Sequence, residues 1–590
     1  MRIAFAGSNY CEQYDPVPAP HESVWMTMGR TLGGTFASAG IDASWPDVLV
    51  IVLVETCPLP DDIEDCPCPT VGIVVDWEAW SDALFAHAPA LDVILADQSG
   101  VDKMSPFFPG KLRTLVPVGN FGQISSDLAA TPISQRAWDV TFVGGLLPTE
   151  RFTGRVEGLR HLYPLSDRFR VRILSRVDRE EMVAAMCDSK ILFNHAALPV
   201  QQGVNARNFE AGACRAVVMG ERHNAALREF FTDDEILFYD YDTIGDAIAW
   251  ALEHPETAQR MADGYAEKVA APLMPRLLAA LRSVIEDDVK TRGVRTSHDR
   301  LIGLVCGFGN WGGDAHRMPH TFDMTSRAVR AAAVESPDDA TLANLAGVAA
   351  AELARELRRL GHEGSARKLT AHPHLDPTAH WRRAGELDGA FAAPLYNLGR
   401  YYAEDGDDAR AAAALSAARQ CLATHGGRAM ARRSLLYPVW AARAAGLDRT
   451  LAGSYNAARF LFADAEERAE YRSRVLMWRV EECLGDLSMR RSSLDRALRQ
   501  YMAAAARAPE LSTEALRKAL ALCVQAGDDG LATEILAKLT RLNPLDLPFR
   551  EQLRDARAGT TDAALDEEIR LLTKAALTPR AYERGSLDVI

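Results

Sequence analysis

The chain has 590 residues, more than one hydrophobic core can serve, since single cores stop growing at about 250–300 residues. Its 48% hydrophobic and 25% charged content is that of an ordinary globular protein and excludes extensive disorder. A formal net charge of −14 argues against a general nucleic-acid binder, which presents a basic face to phosphates.

The longest aliphatic run, Val48–Val54, is fenced by Asp47 and Glu55 and falls far short of the ~20 residues a membrane-spanning helix needs. The first residues lack a positive region followed by an apolar stretch and a small-residue cleavage site. The expected location is therefore the cytoplasm, where the ten cysteines stay reduced. Only Cys57, Cys66 and Cys68 cluster, with no histidine nearby at zinc-ligand spacing, so they read as a loop with small thiols and no metal is expected.

In chain order, the first third alternates short β-branched runs with longer amphipathic segments, the pattern of a parallel sheet covered by helices. Met1–Ala6, Val48–Val54, Thr70–Val75, Asp92–Ala96 and Leu112–Val118 are expected as buried strands. Several end in Gly, Asp or Asn, as at Gly7-Ser8-Asn9 and Asp76, where the carboxyl ends of strands open into a ligand crevice. After a small, polar stretch at Ser125–Arg136 a new strand starts at Trp138 and ends at Gly144-Gly145. Further strands are expected at Arg170–Leu174, Ile191–Asn194, Ala216–Gly220 and Ile236–Tyr239, with helices at Glu180–Asp188 and Asn208–Cys214 between them. That rhythm predicts a second Rossmann-like domain.

From about Ser336 strands give way to alanine-rich helices. Leu395, Leu398, Gly399, Tyr402, Ala411, Leu415 and Ala418, with Gly406 in a turn, have the spacing of a tetratricopeptide repeat. Leu484, Gly485, Ala497, Tyr501, Ala504 and Pro509 fit the same frame, with Glu481 and Ser488 in place of bulky residues. Gly527, Ala532, Leu536 and Pro544 follow, and Leu342, Leu345, Ala346 and Ala349 begin an earlier unit. Such hairpins cannot bury their apolar faces alone and stack into a curved solenoid. The expected layout is α/β plus all-α: one Rossmann-like domain at 1–130, a second at 131–290, a linker at 291–335, tetratricopeptide-like repeats at 336–575 and a tail at 576–590.

The segment richest in chemistry runs Gly203-Val204-Asn205-Ala206-Arg207-Asn208-Phe209-Glu210-Ala211-Gly212-Ala213-Cys214. A loop holding Gly203 and Asn205 enters a helix whose free N–H groups and dipole suit a diphosphate. Glu210 is placed near that helix start to accept two hydrogen bonds from a ribose diol, and Arg207 adds a charge for the leaving diphosphate. A plain helix-terminal acid is the alternative for Glu210.

Here the chain resembles the CgeB-like group of GT-B glycosyltransferases. The group's Asn, any residue, Arg, any residue, Phe-Glu-Ala pattern is matched by Asn205, Arg207, Phe209, Glu210 and Ala211. Asp139-Val140-Thr141-Phe142-Val143-Gly144 resembles its strand and phosphate-proximal glycine, and Ser189 to Asn194 its strand before the sugar loop. The segment Phe230 to Tyr239 is similar to the stretch preceding its terminal helices. Three positions depart: Gln202 stands where related retaining enzymes carry the first of two glutamates, Arg215 replaces a helix glycine, and a His-Thr pair is missing around Ala270–Met274.

The resemblance implies a cytoplasmic, metal-independent transferase, retaining rather than inverting, with a UDP- or GDP-sugar donor and no cofactor. It implies donor contacts at Gly144, Gly145, Arg151, Arg155, Asn194, Gln202, Gly203, Asn205 and Glu210, with Arg151, Arg155 and Arg207 stabilising the departing diphosphate. Solvated surface charges are the alternative for Arg151 and Arg155. His195 facing the cleft and Asp76 as a base are further candidates, against a structural histidine and a helix cap. The resemblance also implies a nucleotide-sugar donor on the domain at 131–290 and an acceptor on that at 1–130. The repeats are expected to hold a protein or glycan acceptor, so a cut after the catalytic half is expected to leave donor binding largely intact and to remove the acceptor-recruiting surface. A repeat scaffold with a degenerate transferase fold is the competing reading, and a Rossmann oxidoreductase is disfavoured because Gly7 opens no complete dinucleotide fingerprint.

Overall fold

The computed structural model describes residues 1–575 apart from 8–16, 76, 78–80, 117–130, 147–152, 176, 197–202, 272, 288, 311–320, 427–435, 438–464 and 558–561. The aliphatic runs become strands because they are covered on both faces, as parallel sheets require. The first sheet holds β1 (Arg2–Gly7), β2 (Glu22–Met26), β3 (Val48–Val52), β4 (Thr70–Ile73), β5 (Val93–Ala96) and β6 (Leu112–Thr114), in the order β2-β1-β3-β4-β5-β6. β1 pairs in parallel with β2 and β3, and β3 with β4, in a register that sets Ala4 opposite Leu49 and Val50 opposite Val71. β3 is buried along its whole length. β2 was not expected: it lies at the sheet edge, only Met26 of its residues is fully buried, and it is held by Trp25 stacking on Phe5 at 4.5 Å between centroids.

The second sheet holds β7 (Trp138–Val143), β8 (Val171–Leu174), β9 (Ser189–Phe193), β10 (Val217–Glu221) and β11 (Leu237–Tyr239), in the order β11-β10-β9-β7-β8 with parallel pairing throughout. The chain goes from β7 to β8 on one side and from β8 to β9 on the other, so strand order reverses between β7 and β9. Both sheets thus have a Rossmann-like layout.

The helix Ala206–Ala213 ends at Cys214, and Arg215 follows with φ +49°, in the left-handed region. This is the position where the resembled group carries glycine, and a glycine there avoids a Cβ penalty of about 1 kcal/mol. Arg215 is tolerated with an exposed ion pair to Asp263 at 3.2 Å, worth a few tenths of that. Arg215→Gly should therefore raise stability by ~0.5 kcal/mol, read as a higher urea midpoint; a lower midpoint would refute this account of the position.

The chain divides into two compact units, one from Met1–Asn9, Pro18–Ile94 and Val284–Asp528, the other from Tyr10–Val17, Leu95–Ser283 and Asp529–Ile590. In the first unit the span 291–335, expected as a linker, carries the helices Ser297–Asn310 and Thr321–Glu335. Leu301, Ile302, Val305, Val329 and Ala332 share one apolar cluster with Ala83 and Ala86 of the helix Ser81–His87. Just before them, Arg292 meets the buried Asp92 at 2.9 Å and Arg295 meets Glu64 at 2.9 Å. Removing one partner of a buried ion pair costs about 3–5 kcal/mol. A cut after residue 290 would remove the arginine partners of Asp92 and Glu64 and the helices that cover that apolar cluster.

Further on, the helices Ala392–Glu404 and Asp408–His425 form a close antiparallel pair, as do Ala465–Arg490 and Leu494–Arg507. A Cβ at Gly399 would stand 2.5 Å from Leu415 Cγ, and one at Gly485 2.5 Å from Tyr501 Cε1, so these two glycines set the helix separation. The polar residues at core positions are satisfied: Ser488 bonds to the Gln500 side chain at 2.6 Å, and Glu481 lies 3.7 Å from Arg419. In the second unit Leu545, Leu571, Leu572 and Ala575 complete the core of the second sheet, and Ser166 donates to the Leu571 carbonyl at 3.0 Å.

Candidate functional site

Ligands of open parallel sheets sit beyond the strand carboxyl ends where strand order reverses, which here means the ends of β7 and β9. Val140 lies opposite Ile191 and Thr141 opposite Leu192, so Gly144-Gly145 and Asn194 leave the sheet side by side. Arg155, in the first turn of the helix Thr153–Leu162, turns back so that one guanidinium nitrogen reaches the Gly145 carbonyl at 3.3 Å. Its Cζ would be 3.5 Å from a Cβ at Gly144. The two glycines and Arg155 thus come together, and a positive charge stands beside a loop of small residues.

Across from them, Asn205 caps the helix Ala206–Ala213, its side chain accepting from the Asn208 amide at 3.3 Å. Asn208, fully buried, ties this helix start to the sheet: Asn194 Nδ2 donates to Asn208 Oδ1 at 3.0 Å, and the Tyr265 hydroxyl donates to the same oxygen at 3.4 Å. Asn194 is itself buried, and its carbonyl accepts from Tyr239 Oη at 3.2 Å. Its side chain therefore braces the Asn205 motif. Arg207 and Glu210 form an ion pair at 2.7 Å, with about a quarter of each side chain exposed. Glu210 stands in the second turn of the helix, one turn beyond the position read from sequence, and the first turn holds no acid.

Gly203 is gripped from two sides. A Cβ there would fall 2.5 Å from Asp97 Oδ2, and the Gly203 carbonyl accepts from Asn224 Nδ2 at 3.1 Å. Asp97 also caps the helix Gln98–Met104, accepting from Gly100 N at 2.8 Å. A side chain at this position would have to push the Asp97 carboxylate aside.

His195 is buried, with Nε2 at 2.9 Å from the Tyr241 hydroxyl and Nδ1 at 3.1 Å from the Ala196 carbonyl and 3.2 Å from the Glu221 carboxylate. Both neighbours of Nδ1 are acceptors, so Nδ1 carries the proton and Nε2 accepts from Tyr241. Its ring stacks on Tyr241, which stacks in turn on His161 at 4.7 Å. Burial, with the Glu221 and Glu157 charges nearby, pushes the Tyr241 hydroxyl up to about 12. With both ring nitrogens engaged, His195 braces the β9 exit and does not face open space. Glu221, also buried, accepts from the Ala196 amide at 2.5 Å.

Asp76, Arg151 and Gln202 lie outside the described residues. Asp97, Asn208, Glu221 and Asn224 escaped the sequence reading. Asn208 follows Asn205 at capping distance, a signal that was available; Glu221 ends an apolar strand and carries none. A cleft of about 450 Å³ lies among Gln98, Thr114, Leu115, Phe230 and Arg276, within the size range of small-molecule sites. Burial lowers the Arg276 guanidinium pKa, and its side chain lies over the Phe230 ring at 5.2 Å. Among the described residues no group of three or more His, Cys, Asp or Glu is placed to hold a metal ion, and no helix is long and apolar enough to cross a membrane. Cys66 and Cys68 thiols stand 3.7 Å apart.

Residues 132–272, which span the second sheet and every residue of this site from Gly144 to Tyr265, match the family described as glycosyl transferase-like. This part of the chain is a glycosyltransferase-type domain. No curated protein sequence matches the chain. Solved structures similar to it include a sucrose-phosphate synthase from Thermosynechococcus elongatus, at 10% identity and TM-score 0.32 over 49% of this chain and 100% of that one. TarM is similar at 9% identity and TM-score 0.30, over 40% of this chain and 54% of its own. The pneumococcal O-GlcNAc transferase GtfA, in complex with UDP and GlcNAc, is similar at 11% identity and TM-score 0.28, over 40% and 56%. The chain thus spans about half the length of the latter two.

Proposed function

We propose that this chain is a GT-B glycosyltransferase of the CgeB-like kind, moving a sugar from a UDP- or GDP-sugar to a protein or glycan acceptor held by tetratricopeptide-like repeats. The observation that carries this reading is the coincidence of the glycosyl transferase-like match with the strand-order reversal where Gly144-Gly145, Arg155 and the Asn205-capped helix converge.

In this reading the diphosphate lies between Gly144-Gly145 and the Asn205 helix start, where N–H groups and the dipole favour negative charge. Arg155 and Arg151 neutralise the charge that develops as the sugar C1–O bond to the diphosphate breaks. Glu210, released from or sharing its bond with Arg207, accepts from the ribose diol, and Gln202 stands near the donor sugar. The acceptor oxygen bonds to C1 on the retained face, and its proton leaves on a diphosphate oxygen, so Asp76 is not needed as a base. The competing scaffold reading draws on Gln202 and Arg215; the left-handed backbone at Arg215 makes that residue a helix-end variation, and Gln202 lies outside the described residues.

Because arginines and helix ends carry the electrostatics, transfer is expected to proceed undiminished in excess EDTA. The measurement is nucleoside diphosphate release from a panel of nucleotide sugars in the presence of the natural acceptor extract. Loss of release with EDTA and its return with a divalent ion would overturn the metal-independent mechanism.

A further inference from the structure

We infer that the turn joining β10 to the next helix, Glu221 to Asn224, is the clamp that sets the β9 exit, Asn194-His195-Ala196, against the approach to the next helix, Gly203 to Asn205, with Glu221 and Asn224 as positioning residues. This rests on the proposed function only in calling these two stretches donor-binding; the clamp itself stands on geometry.

The chain leaves the sheet at Asn194-His195-Ala196 and returns through Gly203 to the Asn205 cap. Each end of that passage is held by one end of the same four-residue turn. At the exit, the Ala196 amide donates to Glu221 Oε1 at 2.5 Å, and His195 Nδ1 lies 3.2 Å from the same oxygen. At the return, the Gly203 carbonyl accepts from Asn224 Nδ2 at 3.1 Å. The turn is closed on itself by the Asn224 amide donating to the Glu221 carbonyl at 3.1 Å. It is also rooted at both sides, since Glu221 pairs with Tyr239 in the sheet and Asn224 Oδ1 caps the helix Ala225–Phe230 through Leu227 N at 3.3 Å.

Glu221 is 2% exposed, and a carboxylate that deep is retained only where it is hydrogen-bonded and paired. Here its partners are the Ala196 amide and the His195 ring, so its charge fixes where the chain departs. Asn224 has two separate duties: its oxygen caps the helix and its nitrogen holds Gly203. Asp97 closes the other side of Gly203, so the return point has little freedom to shift. Two binding stretches held by one rigid turn meet their ligand at a reduced ordering cost.

The two duties of Asn224 make the test clean. Asn224→Asp keeps an oxygen for the Leu227 amide but replaces the donor to Gly203 by an acceptor, while Glu221→Gln keeps an oxygen for the Ala196 amide and removes the charge facing His195. Amide hydrogen exchange is measured on the full chain, resolved to residues 194–196 and 203–206, with β7 and β8 amides as internal reference. Both variants are expected to exchange at least tenfold faster at these two stretches with the reference amides unchanged. Wild-type exchange there in either folded variant overturns the clamp. For any nucleotide sugar that the wild type turns over, the clamp also requires a raised donor KM with kcat changed less. If exchange rises as stated but the wild type binds no nucleotide sugar, the clamp holds and the transferase reading fails.

Discussion

Glu210→Gln is expected to lower kcat/KM for the donor by roughly 10- to 150-fold, because a hydrogen bond to a charged group is worth about 1.5–3 kcal/mol and each 1.4 kcal/mol is tenfold. Loss of fold cannot be the cause. The Arg207–Glu210 pair is an i,i+3 contact, part-exposed on both sides, and contributes ~0.3–0.5 kcal/mol. Arg207→Ala removes the same pair but leaves the carboxylate, so it separates the two roles: a loss comparable to that of Glu210→Gln marks Arg207 as a diphosphate contact, and a loss under about threefold marks it as a brace for Glu210. Steady-state kinetics with matched unfolding curves decide this. Full activity in both variants would remove the pair from the site.

The second large effect is on stability below neutral pH, and it comes from His87. That ring is 1% exposed at the end of the helix Ser81–His87, packed so closely on the helix Ser297–Asn310 that a Cβ at Gly303 would lie 2.4 Å from its Cε1. Burial, helped by the Arg295 charge and opposed weakly by the Cys57 carbonyl, lowers its pKa from 6.5 to about 3. The unfolded chain takes up a proton at His87 as pH falls through about 6.5, and the folded chain does not until about 3. Stability contributed by the neutral ring is therefore complete above pH 6.5 and lost as pH falls from there toward 3, by up to about 1.4 kcal/mol per unit. At pH 5 the loss is ~2 kcal/mol. His87→Leu should remove it, so the gap in unfolding free energy between variant and wild type should move by ~2 kcal/mol in the variant's favour from pH 7.5 to pH 5. Parallel curves would show that His87 is protonated in the folded state.

Much of the α/β half was legible because strands buried on both faces need continuous aliphatic runs, and Val48 to Val52 or Ile191 to Phe193 have no other plausible place. β2 escaped for the converse reason: Glu22-Ser23-Val24-Trp25-Met26 is an edge strand with one fully buried residue, and its anchor is the Trp25 ring on Phe5. The stretch 291–335 read as a linker because it falls between the last transferase-like element and the first helical repeats, yet Arg292, Arg295 and Arg300 at its start are held by long-range partners. Their partners, Asp92, Glu64 and the Asp61 carbonyl, lie more than 190 positions earlier in sequence, and no local pattern reports such pairings. At the site, the Asn205–Glu210 motif was visible as residue types in order, while its supports were not. Glu221 and Asn224 act through buried hydrogen bonds to backbone groups and neighbouring side chains that only the fold brings near.

The central claim is that the crevice beyond β7 and β9 binds a nucleotide sugar. Thermal unfolding of the full chain with UDP- and GDP-sugars, and with the free diphosphates, tests it without knowledge of the acceptor. A ligand at a hundred times its Kd stabilises by about 2.7 kcal/mol, a rise of several degrees, and Glu210→Gln should require at least tenfold more ligand for the same rise. No shift with any nucleotide sugar, or an equal shift in Glu210→Gln, would contradict the account.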